Sequence, residues 1–371
     1  MSASLPLVND LAALFLEQRP LLDVRAPVEF NEGAFPHCTN LPLLSDDERH
    51  QVGLRYKQQG QDAAIHLGYA LVDAESKADR IAAWAAWANA HPDGVLYCFR
   101  GGLRSRLTQQ MLAEDAGIVM PRVAGGYKAM RRFLIDMLDV QAARQNLLLL
   151  GGRTGCGKTD VLQTLPNALD LEGIAHHRGS AFGRYAQGQP TQINFENALA
   201  IRLLQLAHAP MTLLEDEGRA VGGRDIPLSL FTPMSRAPLI VLEAPMAERV
   251  AQSFKDYVVD GLHEFQRMYC ADEGFARYFA QVHASLDRIQ RRLGGQLYKE
   301  LKQTLTVGLH GYAAGDAATL HEFVRRLLVE YYDPMYDYQI SHKQERIVFR
   351  GEREEVLHWL AQQEMLEGRR A

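Results

Sequence analysis

The sequence predicts an α/β protein of two successive domains, residues 1–140 and 141–371, the second with a helical insertion over about residues 252–330. Three observations predict it. An apolar run of leucines (residues 147–150) enters Gly152-x-x-x-x-Gly157-Lys158-Thr159, and an apolar-periodic segment with Val161, Leu162 and Leu165 follows. That order is a strand, a phosphate-binding loop and a helix. Upstream, Gly94-Val-Leu-Tyr-Cys98-Phe-Arg-Gly-Gly-Leu-Arg104-Ser105 follows the same order around a cysteine, with helical residues 107–116 after it. Beyond residue 252 the pattern turns helical and polar, broken at Gly261, Gly294-Gly295 and the stretch from Gly308 to Gly315.

Composition narrows the class. At 371 residues, with 47% hydrophobic and 23% charged residues, the chain has ample core material for a globular protein. No basic, apolar leader opens it, and no apolar run reaches the ~18 residues of a membrane span, so a cytoplasmic protein is expected. Cys38, Cys98, Cys156 and Cys270 are widely spaced. Without a CxxC pair they predict free thiols rather than a zinc or disulfide framework. A net charge of −5 excludes a globally cationic nucleic-acid binder, so any RNA site must be a local patch.

In the first domain, Asn9 and Asp10 can cap a short helix over residues 11–17. Residues 20–25 read as a buried strand ending in an Asp23–Arg25 pair, and residues 76–89 as a helix turning Ile81, Trp84 and Trp87 to the core. A strand then delivers Cys98 to a loop whose amides, from Arg100 to Leu103, point inward at a helix start. This setting activates a cysteine as a nucleophile, and Arg100 and Arg104 add positive charge for an oxyanion. An inert buried cysteine is the plain alternative, disfavoured by two glycines and two arginines within six residues. Residues 128–138 form an amphipathic helix leading into the second domain. Its Lys128, Arg131 and Arg132 are either a solvated face or an RNA-facing patch.

In the second domain, Gly152, Gly155 and Gly157 let backbone amides cradle phosphate oxygens. Lys158 adds a point charge, and Thr159 a hydroxyl for phosphate or Mg²⁺. Adjacent His176 and His177 diverge on any regular element, which argues against zinc. Arg178 and Ser180 instead offer an anion or nucleobase site. Residues 211–215 read as a strand opening on an acidic run, where Glu215 is the first candidate and Glu217 the second to hold Mg²⁺ beside phosphate. Residues 238–243 read as another strand, and Arg288, Arg291 and Arg292 as a second basic cluster. The tyrosine-dense stretch 331–338 can stack on bases or close the core. A late strand (347–349) and a final helix (354–364) end the reading.

Leu22-Asp-Val-Arg25, Glu29-Phe30, Gly33, Asn40-Leu-Pro42 and Val123-Ala-Gly-Gly-Tyr127 resemble the opening and closing signatures of a rhodanese domain. The spacing Cys98-x5-Arg104-Ser105 also resembles cysteine-dependent phosphatases, and the loop is one residue longer than the commonest rhodanese loop. The order rhodanese-like loop, then P-loop NTPase-like domain, is specific. Together with Asp47-Glu48-Arg49, Gly125-Gly126, His177-Arg-Gly-Ser180, Phe182-Gly183, Glu215-Asp-Glu217 with Arg219, and Tyr332-Asp-Pro334, it resembles the tRNA 2-selenouridine synthase family over nearly the whole chain. Gly218 departs from the pattern, which has serine there.

The resemblance implies replacement of sulfur by selenium in 2-thiouridine at the tRNA wobble position. The implied co-substrates are selenophosphate and geranyl diphosphate, the reaction passing through an S-geranyl intermediate, and a selenophosphate-supplying enzyme is an implied partner. It places Cys98, Arg100 and Arg104 at the selenium step. It places Gly152, Gly155, Gly157, Lys158 and Thr159 on the diphosphate, with Mg²⁺ near Glu215. Two rival classes stay open at this point: an ATP-dependent tRNA-modifying NTPase or kinase with an attached sulfurtransferase, and a rhodanese-like phosphatase. A non-enzymatic module is disfavoured, because it would not need Cys98.

Overall fold

The computed structural model describes residues 5–367. It divides into two compact units: Met1–Val140 with Thr191–Gln205, and Gln141–Pro190 with Leu206–Ala371.

The first unit holds a parallel sheet of five strands: β1 (Leu7–Val8), β2 (Leu21–Asp23), β3 (Cys38–Asn40), β4 (Val95–Tyr97) and β5 (Arg122–Val123), ordered β1-β5-β4-β2-β3. Buried on both faces, β2 and β4 are apolar runs rather than alternating ones. Between them the strand order reverses, which in open α/β sheets places a ligand crevice at the strands' carboxyl ends. Trp84, Leu22, Leu96 and Leu112 form the core here; Trp87 is buried with them, and Ile81 packs half-buried against the cluster. Asp10 caps the helix Leu11–Leu16 and Asp73 caps Ala74–Ala90, each accepting a backbone N–H three residues on.

Two features of this unit were not legible. The longest helix in this unit, Asp46–Leu71, opens on a reciprocal Ser45–Glu48 cap and is broken at Gly60, whose φ of 83° lies outside the helical region. Its weak amphipathic pattern gave no periodic signal. The helix Gln192–Gln205, expected in the second domain, is held to the first unit. Asn194 Oδ1 accepts from the Ala34 N–H at 2.6 Å, Asn197 donates to the Ala34 carbonyl at 2.8 Å, and Arg131 reaches both Glu196 and Asn197.

The second unit carries β6 (Leu147–Gly152), β7 (Ala168–Leu169), β8 (Thr212–Glu215), a small antiparallel pair β9 (Ala220–Val221) and β10 (Arg224–Asp225), then β11 (Leu239–Leu242) and β12 (Ile347–Gly351). The main sheet is parallel, in order β12-β11-β6-β8-β7, with β6 at its centre. Helices from Met246–Phe254 to Asp333–Ser341 occupy the chain between β11 and β12, a longer insertion than residues 252–330. They bury a core of their own, including Phe265, Tyr278, Leu305, Phe323 and Leu328. Among the described residues no helix is long and apolar enough to cross a membrane.

Candidate functional site

Cys98 follows β4 directly and is 3% exposed; its Sγ lies 3.2 Å from Ser105 Oγ, which donates in turn to the Gly102 carbonyl. The loop is tied back by the Tyr127 and Lys128 amides, which donate to the Cys98 and Phe99 carbonyls at 2.9 Å. Such an approach requires glycine: a Cβ on Gly126, at φ 57°, would fall 2.2 Å from the Cys98 carbonyl oxygen. A cleft of about 830 Å³ opens beside Cys98, lined by Trp84, Leu103, Leu107 and Met111 with Arg100 and Arg104.

The two arginines differ. Arg100 is exposed, and Arg104 forks onto Glu29 at 2.6 and 3.1 Å, where Arg49 also pairs at 3.1 Å. Burial alone would raise the Glu29 carboxyl, but the hydrogen bonds and charge of Arg104, and the charge of Arg49, hold it below the usual range. Arg25 is held likewise, chelated by Asp23 at 2.6–3.1 Å, bonded to the Gly33 carbonyl, and stacked over Tyr127. The motif Asp23-Val-Arg25 is therefore a buried brace.

At the carboxyl end of β6, Gly155 and Gly157 take φ of 81° and 85°, turning the loop through conformations that L side chains rarely adopt. A Cβ on Gly155 would meet the Arg249 carbonyl and Ser253 Oγ at 2.5 Å. The loop is braced from below: buried Arg249 donates to the Thr154 carbonyl at 3.0 Å and forks onto Asp333 at 2.5 and 3.0 Å. Asp333 belongs to Tyr332-Asp-Pro334, which gives that motif a structural reason.

Lys158 opens the helix Lys158–Gln163, donates to the Gly152 carbonyl at 3.1 Å and lies 5.7 Å from the Tyr336 ring. Burial by itself would lower the ammonium, but Cys156, Tyr336, Glu172 and Glu217 hold it above its usual range. Glu172 and Glu217 face one another: a Cβ on Gly179 would lie 2.0 Å from Glu172 Oε1 and 3.5 Å from Glu217 Oε1. Burial and the Glu217 charge push Glu172 up to about 8, and burial raises Glu217 as well, so the pair shares a proton at neutral pH.

The acidic run after β8 corrects the expected order of metal candidates. Glu215 is 1% exposed and accepts from the Leu171 and Glu172 amides at 2.8 and 3.3 Å. Burial and the Asp170 and Glu172 charges raise its carboxyl well above the usual range. It fastens β8 to the helix Leu171–Ile174, and a buried carboxyl that favours its neutral form is a poor ligand for Mg²⁺. Asp216 pairs with Lys343 at 2.6 Å, leaving Glu217 as the acid turned toward Lys158. Among the described residues no group of three His, Cys, Asp or Glu could hold a metal. Glu217 and the Thr159 hydroxyl still suit Mg²⁺, which takes one or two carboxylates plus phosphate oxygens, whereas Glu215 does not.

Arg178 and Ser180 sit in a tight turn beside the same loop. The Arg178 amide donates to the Gly183 carbonyl, and Ser180 Oγ accepts from the Phe182 amide at 3.1 Å. The Arg178 guanidinium stacks over Tyr185 at 3.9 Å and pairs with Glu264 at 3.7 Å. Beside it His177 is kept neutral, down to about 4, by burial and by Arg184, Arg288 and Arg178.

The two basic clusters fare unevenly. Arg131 is consumed by Glu196 and Asn197, and Arg132 pairs with Asp136 at 3.0 Å. Arg288 donates to the Ala181 carbonyl and Ser285. Lys128, Arg291 and Arg292 are exposed. The sequence reading missed Glu172 and Ser253; Glu172 stands in the unremarkable stretch Asp170-Leu-Glu172-Gly, and nothing local marks it.

Against known proteins, residues 145–367 match a family model described as "tRNA 2-selenouridine synthase AAA domain". A protein of Bordetella bronchiseptica named "tRNA 2-selenouridine synthase" is 51% identical over 355 residues, 95% of this chain and 96% of its own. Proteins of the same name from Hahella chejuensis and Aeromonas salmonicida are 51% and 49% identical, covering 95% and 97% of this chain and 94% and 98% of theirs.

Proposed function

Because the chain belongs to the tRNA 2-selenouridine synthase family, we propose that it exchanges the sulfur of a tRNA 2-thiouridine at the wobble position for selenium, in two steps divided between its two loops. In the first step the thiocarbonyl sulfur attacks the first carbon of geranyl diphosphate. The carbon–oxygen bond breaks, diphosphate departs with the electron pair, and the N3 proton of the nucleoside is lost to a base. Amides of Gly155 and Gly157 with Lys158 bind the diphosphate and stabilise its charge as it leaves. Arg178 and Ser180 flank it, and the half-protonated Glu172–Glu217 pair is the local proton acceptor. A bound Mg²⁺, held by Thr159 and Glu217, would neutralise the phosphate oxygens.

In the second step, selenium from selenophosphate attacks C2, and geranylthiol leaves where sulfide could not. Hydrolysis of the phosphorus–selenium bond then yields phosphate and the selenonucleoside. Arg100, exposed at the Cys98 loop, meets the oxyanion, and Cys98 handles the selenium donor. Arg104 contributes through Glu29, by holding the loop.

The observation that carries this reading is the pair of glycine-built loops at the carboxyl ends of parallel strands, one presenting a thiol and the other an ammonium beside two carboxyls. Mass spectrometry of nucleosides from thiolated tRNA incubated with the protein, selenophosphate and geranyl diphosphate tests it. The selenonucleoside should accumulate, and the S-geranyl species should accumulate when selenophosphate is omitted. Thiolated tRNA left unchanged would remove the reading. Nucleotide hydrolysis stimulated by tRNA would replace it with the NTPase class.

A further inference from the structure

The helix Asp46–Leu71 of the first unit is bent back on itself. A Cβ on Gly68, in its second half, would lie 3.9 Å from Val52 Cγ2 in its first. A straight helix would hold those two residues roughly 24 Å apart. The bend falls at Gly60, whose φ of 83° L side chains rarely adopt. Both arms line the Cys98 cleft, the first with Val52, Tyr56 and Lys57, the second with Gln61, Ile65 and Tyr69. Val52 and Tyr56, like Gln61, Ile65 and Tyr69, recur every four residues, so each arm turns one helical face to the cleft.

Those faces are aromatic and cationic. Tyr56 and Tyr69 are each 58% exposed, and among the described residues neither ring stacks and neither hydroxyl is bonded. Leu54 and Leu103, also in the cleft lining, are exposed beside them. A contiguous exposed apolar patch of this kind marks a binding groove. The only acid among the lining residues is Glu29, which is matched by Arg49 and Arg104. Arg80 is matched by Glu48, and Lys77 by Asp115. Lys57 and Arg100 stand exposed and make no ion pair among the described residues. Free rings interleaved with free cations are what single-stranded nucleic acid binds, bases stacking on the rings and phosphates meeting the charges.

Size points the same way. The cleft measures about 830 Å³, within the range that buries a drug-sized ligand and far more than a phosphate-sized donor fills. A small inorganic anion would also gain nothing from the apolar walls. Unpaired RNA loops, whose bases can be splayed out and stacked on side chains, suit both the size and the lining. We propose that the bent helix is the platform on which the unpaired anticodon bases of thiolated tRNA stack. Tyr56 and Tyr69 take base faces and Lys57 a phosphate, which brings the wobble nucleoside to Cys98. The inference rests on the reading that Cys98 serves the selenium step, and it adds the surface that holds the RNA there.

The experiment measures binding of the full chain to thiolated tRNA by fluorescence anisotropy over a range of salt, with selenation followed alongside. Tyr56→Ala and Tyr69→Ala should each weaken binding about tenfold, whereas Tyr56→Phe and Tyr69→Phe, which keep the ring, should stay near wild type. Lys57→Ala should flatten the slope of log affinity against log salt by about 0.7, the share of one phosphate on a single strand. The alanine variants at both tyrosines should raise the KM for tRNA and leave that for selenophosphate unchanged. Exposed side chains contribute little to stability, so wild-type melting temperatures are expected throughout. Should a tyrosine variant unfold, the salt slope of Lys57→Ala decides. Folded alanine variants that bind tRNA as wild type does would overturn the inference while leaving selenation intact. A rise in KM confined to selenophosphate would overturn it too, by giving the cleft to the donor alone. Wild-type protein that binds thiolated tRNA without exchanging its sulfur would instead overturn the function reading, and this inference with it.

Discussion

The Cys98 loop and the phosphate loop share a backbone plan and differ in how their charges are held. Each follows a central parallel strand, and each depends on glycines at positive φ. Around Cys98 the buried cations are already matched, Arg104 with Glu29 and Arg25 with Asp23, Arg100 standing exposed, and the thiol rests on Ser105. Around Lys158 the balance rests on a proton: one half-buried ammonium faces two carboxyls, and burial with the Glu217 charge pushes Glu172 up to about 8. A loop with settled charge holds a nucleophile in place, whereas a loop whose carboxyls can take up a proton leaves its ammonium for an anionic ligand. The first is braced for positioning and the second for binding.

Exchanging the two functional groups should break this comparison most sharply. Cys98→Ala is expected to abolish selenium incorporation while S-geranylation continues. Lys158→Ala is expected to slow geranyl transfer by about 10²–10³-fold, the usual effect of removing one preorganised charge, while pre-geranylated tRNA is still selenated. Nucleoside mass spectrometry reads both, and a single variant that stopped both steps would end the division of labour.

The brace beneath the phosphate loop comes next. Asp333→Ala leaves Arg249 buried without its carboxylate and should cost about 3–5 kcal/mol, seen as a lower denaturant midpoint. No change in that midpoint would mean the pair is dispensable.

The carboxyl pair yields a pH prediction. Glu172 is raised from its ordinary value to about 8, so the folded state binds its proton more tightly than the unfolded chain. That contribution is complete below the ordinary carboxyl range and is lost as pH rises through about 8. The melting temperature should fall across this window in wild type and fall less in Glu172→Gln. Parallel curves would refute the shared proton.

The smallest effect is expected at Arg104→Lys, which exchanges the fork of a half-buried arginine for a point charge on buried Glu29. About 1 kcal/mol of stability should be lost, with a modest decline in selenium incorporation and none in geranyl transfer.

Both loops, their strands and their helices were legible because each is a local pattern: an apolar run, glycines at fixed offsets, then a periodic segment. The acidic run was half legible. Three successive acids announced a site, but which one faces Lys158 depends on where the chain turns after β8, and Glu215 is claimed by the amides of Leu171–Ile174. Arg131 and Arg288 looked like RNA contacts for a similar reason, since their partners Glu196 and Ala181 are 65 and 107 residues away.

By itself the sequence determined the two strand–loop–helix units, the thiol and ammonium they carry, and the family they resemble, because backbone conformation at glycines and burial of apolar runs are decided over a few residues. Only the tertiary structure decided that Glu217 and Glu172 meet beside the phosphate loop and that Asp333 braces that loop through Arg249. Those are meetings of side chains far apart in sequence, and charge pairing, proton sharing and cavity shape exist only once packing has brought them together.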